Sequence, residues 1–437
     1  MKNILLIILT IPIITFSQEN ITIKEAIKIC LNQNFDIQIS EREYEVSKIN
    51  NNWSNAGALP TVDFIAKGEE AVSDQSQNPT SFIQEVLKSE SVSTSINLNW
   101  ILFNGYRIKA SKEKLEILQE LNNGNLNIII ENTIQAVILS YYNCLIQKER
   151  IDLIQEVVNL SKERLIYNET KYDIGLNRKI DVLQIENALL TDSLNLILQI
   201  NNYQNSLRNF NLILGIDLEK KWNFTDEIEI KNQLFDIEIL KEKILSDNNT
   251  LKNQYYNIEL SKQDIKISKS VFFPTISLNS GASYNENTYD IGNSGYTGDN
   301  SGSTLNYYAN FTLSYRLYDG GKYNRSIKTF EIQNDINNLI LEKMKQEVFS
   351  QLTQNYQLYN NRIHISNISK KAFQIAKINY ELANENYKLG NINSFNLRDL
   401  EINYLNSAIS YLNSLFDLNE SYLELVKMTG GFITEDF

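Results

Sequence analysis

The sequence predicts an α+β membrane protein built by internal tandem duplication. Four strands per chain contribute to a β-barrel wall, and long helices continue it as an α-helical coiled-coil barrel. Three observations carry this expectation. Among 437 residues only Pro12, Pro60, Pro79 and Pro274 are prolines, so two stretches of well over a hundred residues hold no ring that would break a helix. A repeat recurs at an offset of 214 to 215 residues. At matching places in the two halves the hydrophobic period changes from two to about three and a half.

The first element is a segment for export, residues 1–17. Lys2 supplies the charged start, Ile4 to Ile14 the apolar stretch, and Thr15 and Ser17 the small residues before a cut at Gln18. No Cys follows the cut, so a lipid anchor there is not indicated.

The first repeat is read as 18–215 and the second as 241–430, with a linker at 216–240 and a short tail at 431–437. Leu59-Pro60-Thr61 recurs as Phe273-Pro274-Thr275, and Trp100-Ile-Leu-Phe-Asn-Gly105 as Tyr315-Arg-Leu-Tyr-Asp-Gly320. Tyr172-Asp-Ile-Gly175 recurs as Tyr387-Lys-Leu-Gly390, Glu186 as Glu401, and Leu214-Gly215 as Thr429-Gly430. Each half reads as a helix, two strands and two long helices. In the first half the opening helix is expected from Ile23 to Asn55, and the strands at about 61–72 and 91–103. In the second half the strands are expected at about 274–287 and 304–318. Pro60 and Pro274 stand at the approach to each first strand, where a missing N–H does little harm. Gly105 and Gly320 mark each strand–helix joint.

The strands alternate. Thr94, Ile96, Leu98, Trp100 and Leu102 share one face, and Ser93, Ser95, Asn97 and Asn99 the other. Leu305, Tyr307, Ala309, Phe311, Leu313 and Tyr315 alternate with Asn306, Tyr308, Asn310, Thr312, Ser314 and Arg316. An apolar face opposite a small polar face, with aromatics near one end, is the pattern of a transmembrane β-barrel. Trp100, Phe103, Tyr315 and Tyr318 are the expected aromatic girdle. A sheet of a soluble sandwich alternates too, but it needs more strands than these four. Four strands cannot close a barrel alone, so closure requires several copies of the chain. The segments joining each strand pair, 73–90 and the glycine-rich 288–303 with Gly292, Gly295, Gly298 and Gly302, read as exposed hairpin loops.

Past Gly105 and Gly320 heptads begin. Leu352, Tyr356, Tyr359, Ile363 and Ser366 step by four and three, and so do Leu196, Ile200, Tyr203, Leu207, Phe210 and Leu214. Near the C-terminus Leu397, Leu400, Tyr404, Ser407, Tyr411 and Ser414 step by three and four, and a second stripe one residue later, Leu405, Ala408, Leu412 and Leu415, gives the last helix a neighbour on each side, as in a closed cylinder. Gly175 and Gly390 are the turns between paired helices.

Composition excludes much else. Lys+Arg total 41 against Asp+Glu 53, a net charge of −12, which argues against nucleic acid as a partner. One His and two Cys leave no zinc cluster and no Cys–His pair, and no nucleotide motif is present, so neither enzymatic activity nor a cofactor is expected. His364 reads as a solvated or packed imidazole, and Cys30 and Cys144 as buried free thiols.

Taken together, the duplication, the Leu-Pro approach, the aromatic-Asn/Asp-Gly exit and the Tyr-x-x-Gly turns resemble the TolC-type outer membrane efflux family over essentially the whole chain after the export segment. The turns are followed by Ile180-Asp181-Val-Leu-Gln-Ile-Glu186 and Phe395-Asn-Leu-Arg-Asp-Leu-Glu401, which carry the resemblance further. It implies a homotrimer with twelve strands in the outer membrane lipid and a twelve-helix periplasmic tunnel. It also implies a periplasmic adaptor and an inner-membrane pump that deliver the substrate. In that family carboxylates three apart after the second-half turn form a constriction; here the positions are Asn396 and Asp399, and the first lacks the charge. Asp181 is the corresponding first-half carboxylate, and Arg178, Lys179 and Arg398 are the nearby cations. Asp181 and Asp399 read equally as helix-start residues favoured by the helix dipole. The competing function is a non-transporting coiled-coil spacer or adhesin of the envelope.

Overall fold

A computed structural model describes residues 19–228, 233–291 and 301–434. The export segment and the loop glycines Gly292, Gly295 and Gly298 lie outside the described residues. In order the elements are β1 (Glu19–Ile21), α1 (Ile23–Gln33), α2 (Phe35–Asn50), β2 (Thr61–Asp74), β3 (Val86–Asn104), α3 (Arg107–Asp173) and α4 (Lys179–Leu214). β4 (Trp222–Phe224), α5 (Ile237–Asp247), α6 (Asn249–Lys269), β5 (Thr275–Ile291) and β6 (Ser301–Ser314) follow. The chain ends with α7 (Lys322–Lys388), α8 (Ser394–Met428) and α9 (Gly431–Thr434). Among the described residues no helix is long and apolar enough to cross a membrane. The offset read from the sequence also relates the elements: α3 and α7 each have 67 residues and start 215 apart, at Arg107 and Lys322.

The chain forms two compact units, Met1–Glu41 with Asn125–Thr250 and Lys345–Phe437, and Arg42–Gly124 with Leu251–Met344. The second unit holds the sheet, ordered β2-β3-β5-β6 and antiparallel throughout. Its register fixes the faces. Val62, Phe64 and Ala66 stand across from Leu98, Ile96 and Thr94, and Ile276, Leu278 and Ala282 across from Leu313, Phe311 and Tyr307. On the other face Asn97, Gly281 and Tyr308 line up across three strands. The Tyr308 ring lies over Gly281, where a Cβ would come within 2.9 Å of its hydroxyl, and that hydroxyl donates to Asn97 Oδ1 at 2.7 Å. β2 and β6 are the sheet edges.

The strands are longer than the alternation alone suggests, because backbone pairing continues past the apolar band into charged residues. Glu70 pairs with Glu90, and β3 begins at Val86 rather than 91. β6 ends at Ser314, so Tyr315 and Tyr318, expected inside the strand, follow it as exposed residues. A bulge between Ile101 and Phe103 brings Phe103 opposite Ile276, a one-residue shift that alternation cannot reveal.

At the joint, Gly105 has φ 65° and a Cβ there would lie 2.3 Å from the Ser270 carbonyl oxygen, so the close approach requires glycine. Tyr106 follows with φ 67°, the one non-glycine residue with positive φ among the described residues. Its counterpart 215 residues on is Gly321, φ 75°. α3 and α6 come close at Gly124, where a Cβ would meet the Asn253 side chain at 1.9 Å.

In the first unit β1 pairs in parallel with β4, Ile21 opposite Phe224. Thr22 and Glu25 form a capping box that starts α1. The single opening helix expected from Ile23 to Asn55 is instead two helices ending at Asn50, broken at Asn34. The Asn34 backbone is extended there; its side-chain oxygen accepts from Ile37 N–H at 3.0 Å and its amide donates to the Ile213 carbonyl at 2.8 Å. Asparagine competing for backbone groups ends the helix where periodicity alone would continue it. Tyr141, fully buried, packs edge-on against Phe210 and Phe224 and donates to the Ile21 carbonyl at 2.9 Å, so the N-terminal strand is held by the core. Cys30 and Cys144 are free and buried, and His364 is exposed.

Candidate functional site at the helical turns

Each helix pair turns on a glycine. Gly175 and Gly390 both have φ 78°, and Leu176 N–H and Asn391 N–H reach back to the Lys171 and Asn386 carbonyls at 2.8 and 2.9 Å. These are Schellman turns, in which left-handed glycine lets the chain satisfy the last helical carbonyls. The tips are joined within the chain: Asn168 donates to the Tyr387 hydroxyl at 2.7 Å, and Asn177 donates to Asn168 at 2.8 Å.

Asp181 occupies the third position of α4. Its carboxylate accepts from the Arg178 backbone N–H at 3.3 Å and from the guanidinium at 3.0 Å twice over. The Arg178 guanidinium holds that carboxyl below the usual aspartate range. Lys179, expected as its counter-charge, instead lies over the Tyr172 ring, 5.4 Å from the centroid. On α8, Asn396 is exposed and donates its backbone N–H to the Asn393 cap at 2.9 Å, while Asp399 is exposed.

Arg398 does not face Asp399 or Asp181. It turns into the bundle and grips Asp192 of α4 with two hydrogen bonds, 2.6 and 2.7 Å, and Glu401 with a third of 3.0 Å. Glu401 also accepts from Arg164 of α3 at 2.8 Å, and Asp192 from the Ser161 hydroxyl at 2.7 Å. The side chains of Arg164, Glu401 and Asp192 are 5%, 1% and 4% exposed. Two arginines and two carboxylates thus form a charge-balanced chain linking α3, α4 and α8, buried except at the partly exposed Arg398. Tyr380 stacks on Tyr404 (5.3 Å, 9°) beside this group, and its buried hydroxyl has no hydrogen-bond partner. Sequence reasoning missed Asp192 and Arg164, although the signal was there. Asp192 stands seven residues from Ile185 and from Gln199, beside the α4 heptad stripe, and Glu401 lies between Leu397 and Tyr404, beside that of α8. A charge buried beside a stripe must be paired, because burying it alone is costly.

A sheet with one apolar and one small-polar face, open at both edges and joined to 67-residue helices, defines an outer-membrane β-barrel channel with a helical tunnel. The chain belongs to the outer membrane efflux protein family, whose model matches residues 26–216 and 240–431, one segment in each repeat. Its fold is that of the Campylobacter jejuni CmeC outer membrane channel (TM-score 0.74, 16% identity, 95% of this chain and 87% of that one). It is similar also to VceC from Vibrio cholerae (0.71, 12%, 94% and 96%) and to the open state of the Neisseria gonorrhoeae MtrE channel (0.69, 15%, 94% and 89%). No curated protein matches the chain in sequence.

Proposed function

We propose that this protein is the exit duct of a tripartite efflux or type I secretion system, a passive conduit gated at its periplasmic tip. A homotrimer joins β6 of each copy to β2 of the next, giving twelve strands, and stands on a periplasmic adaptor fed by an inner-membrane pump. The observation that carries this reading is the pair of free strand edges on a sheet whose polar face is mainly Ser, Asn and Thr on β3, β5 and β6 and carries Asp63, Lys67 and Glu69 on β2. In lipid an unpaired edge leaves backbone groups without partners, so the sheet must close on other copies, and the polar face then lines water. The cleaved segment 1–17 sends the chain out of the cytoplasm; the end of the sheet at Asp74, Val86, Ile291 and Ser301, where the strands run on into what alternation alone reads as loop, faces outward, and the Gly175 and Gly390 turns face the periplasm.

In the gate, the Arg164–Glu401–Arg398–Asp192 chain ties the second-repeat tip to the first, and Asp399 contributes one carboxylate per chain to a cation-favouring ring. The pump delivers the cargo, and the duct supplies the path. Mass measurement in detergent together with conductance in planar bilayers tests the reading. A trimer with discrete conductance steps is expected; a folded monomer without conductance would instead favour a coiled-coil spacer.

A further inference from the structure

The two strand–helix joints differ most tellingly at the residue after the first glycine. Both need a left-handed backbone just past the first glycine, and the second repeat supplies it with Gly321, whereas the first holds Tyr106 in that strained conformation. The Tyr106 ring is two-thirds exposed, yet it is held edge-on between Phe103 (5.5 Å, 85°) and Phe273 (5.9 Å, 86°). A rigid ring retained where glycine would be relaxed divides two clefts. One, of about 280 Å³, is walled by Trp53, Trp100 and Leu102; the other, of about 340 Å³, by Phe273 and the stems of Lys266 and Lys269. Tyr106 and Lys109 line both.

The cations at this place exceed the local carboxylates. Lys266 pairs with Glu113, which lies in the same cleft, at 3.0 Å, and Lys269 with Glu331 at 3.4 Å. Lys109 has no ion pair among the described residues, and Arg107 is exposed beside it. Trp100 and Leu102 make the apolar wall continuous with the apolar face of β3.

We infer that this joint is a phospholipid site. A glycerophospholipid of the periplasmic leaflet sets its phosphodiester on the Lys109 ammonium, with Arg107 and Lys269 at the rim, and lays an acyl chain in each cleft against the aromatic walls. An anionic phosphate answers an unpaired ammonium, while two clefts on either side of one ring, the first mainly apolar and the second walled by Phe273, Ala110 and lysine stems with the Lys266–Glu113 pair at its edge, suit the two chains of a lipid. The second repeat keeps a cation at Lys322, the counterpart of Arg107, but has Gly321 for Tyr106 and Asn324 for Lys109, so it lacks the divider and the ammonium at that place, and one lipid per chain is expected. The inference rests on the outer-membrane reading proposed above.

Native mass spectrometry of the full protein, extracted from outer membranes in mild detergent, tests it. The parent should keep one phospholipid per chain. Lys109→Glu and Tyr106→Gly, the second with a relaxed backbone, should each lower retention at least tenfold, and Lys24→Glu, an exposed lysine elsewhere, should leave it unchanged. Added phosphatidylethanolamine should raise the melting temperature of delipidated parent protein, whereas inorganic phosphate should not. Phospholipid kept equally by both variants, a parent that retains none, or equal stabilisation by inorganic phosphate would overturn the site. A variant set that still conducts in bilayers while failing these measurements removes the site alone; a parent absent from the outer membrane and without conductance removes the channel reading and the site with it.

Discussion

Arg398 reaches from α8 to α4 and holds both carboxylate oxygens of Asp192, at 2.6 and 2.7 Å, joining the second repeat to the first near their turns. Removing one partner of such a pair strands the others in the interior. Arg398→Ala is expected to destabilise the folded protein by about 3–5 kcal/mol, and Arg398→Met with Asp192→Leu to recover most of that loss. Thermal melts of the single and double variants, with single-channel open probability raised in Arg398→Ala, check both the energetic and the gating role.

Asp399 is exposed and stands apart from that network. Asp399→Ala should change stability by no more than about 0.5 kcal/mol, as surface substitutions do, while lowering cation over anion permeability. Reversal potentials in a salt gradient measure this; an unchanged ratio would make Asp399 a solvated helix residue only.

The two joint glycines separate a clash from a backbone preference. At Gly320 nothing lies within 4 Å of an added Cβ, so Gly320→Ala should lose about 1 kcal/mol for the left-handed conformation alone. At Gly105 the added carbon would also meet the Ser270 carbonyl at 2.3 Å and the Phe273 Cβ at 2.7 Å. Gly105→Ala should therefore be clearly the worse of the two by melting temperature and by yield of folded protein.

Burial pushes the thiols of Cys30 and Cys144 up to about 12, far above an ordinary cysteine. Both stay protonated in the folded state up to that pH, so iodoacetamide at pH 8 should label neither until the protein is denatured. The sign for stability follows: above about pH 9 the unfolded thiols ionise and the folded ones do not, so stability falls as pH rises through that window. Labelling of the native protein at either position would show an open path to it.

Trp100 lies in β3 on the apolar face of the sheet, with its indole N–H donating to the Ala58 carbonyl at 2.8 Å and its polar end so tied. In a Trp53→Phe, Trp222→Phe background, its fluorescence should be quenched more by lipids brominated near the headgroup than at the bilayer centre. The reverse order would move the girdle away from this end of the strand.

What the sequence made legible was periodic. Alternation around Leu98 and Phe311 gave the sheet faces, and the repeat placed Gly105, Gly175, Gly320 and Gly390 at joints and turns, where all four have positive φ. What it hid was set by single contacts. The bulge beside Phe103 depends on pairing with Ile276 of β5, 173 residues away, and the break at Asn34 on a carbonyl of α4. Arg398 was placed by chain proximity beside Asp399, whereas helix geometry turns it toward Asp192, more than 200 residues away in sequence. Periodicity reports which face is buried; it does not report which charged groups meet there.

The equal length of α3 and α7 limits how this protein can change. Each has 67 residues between a joint glycine and a turn glycine, and heptad seams fix which side of each helix looks inward. Deleting one residue from one of them would turn every later side chain by about 100° and shorten that helix by about 1.5 Å, leaving its twin as it was. Insertions and deletions are thus survivable only as matched edits in both copies, and in steps of seven. The duplicated halves act as each other's ruler: substitutions can accumulate freely along either helix, while length is inherited jointly.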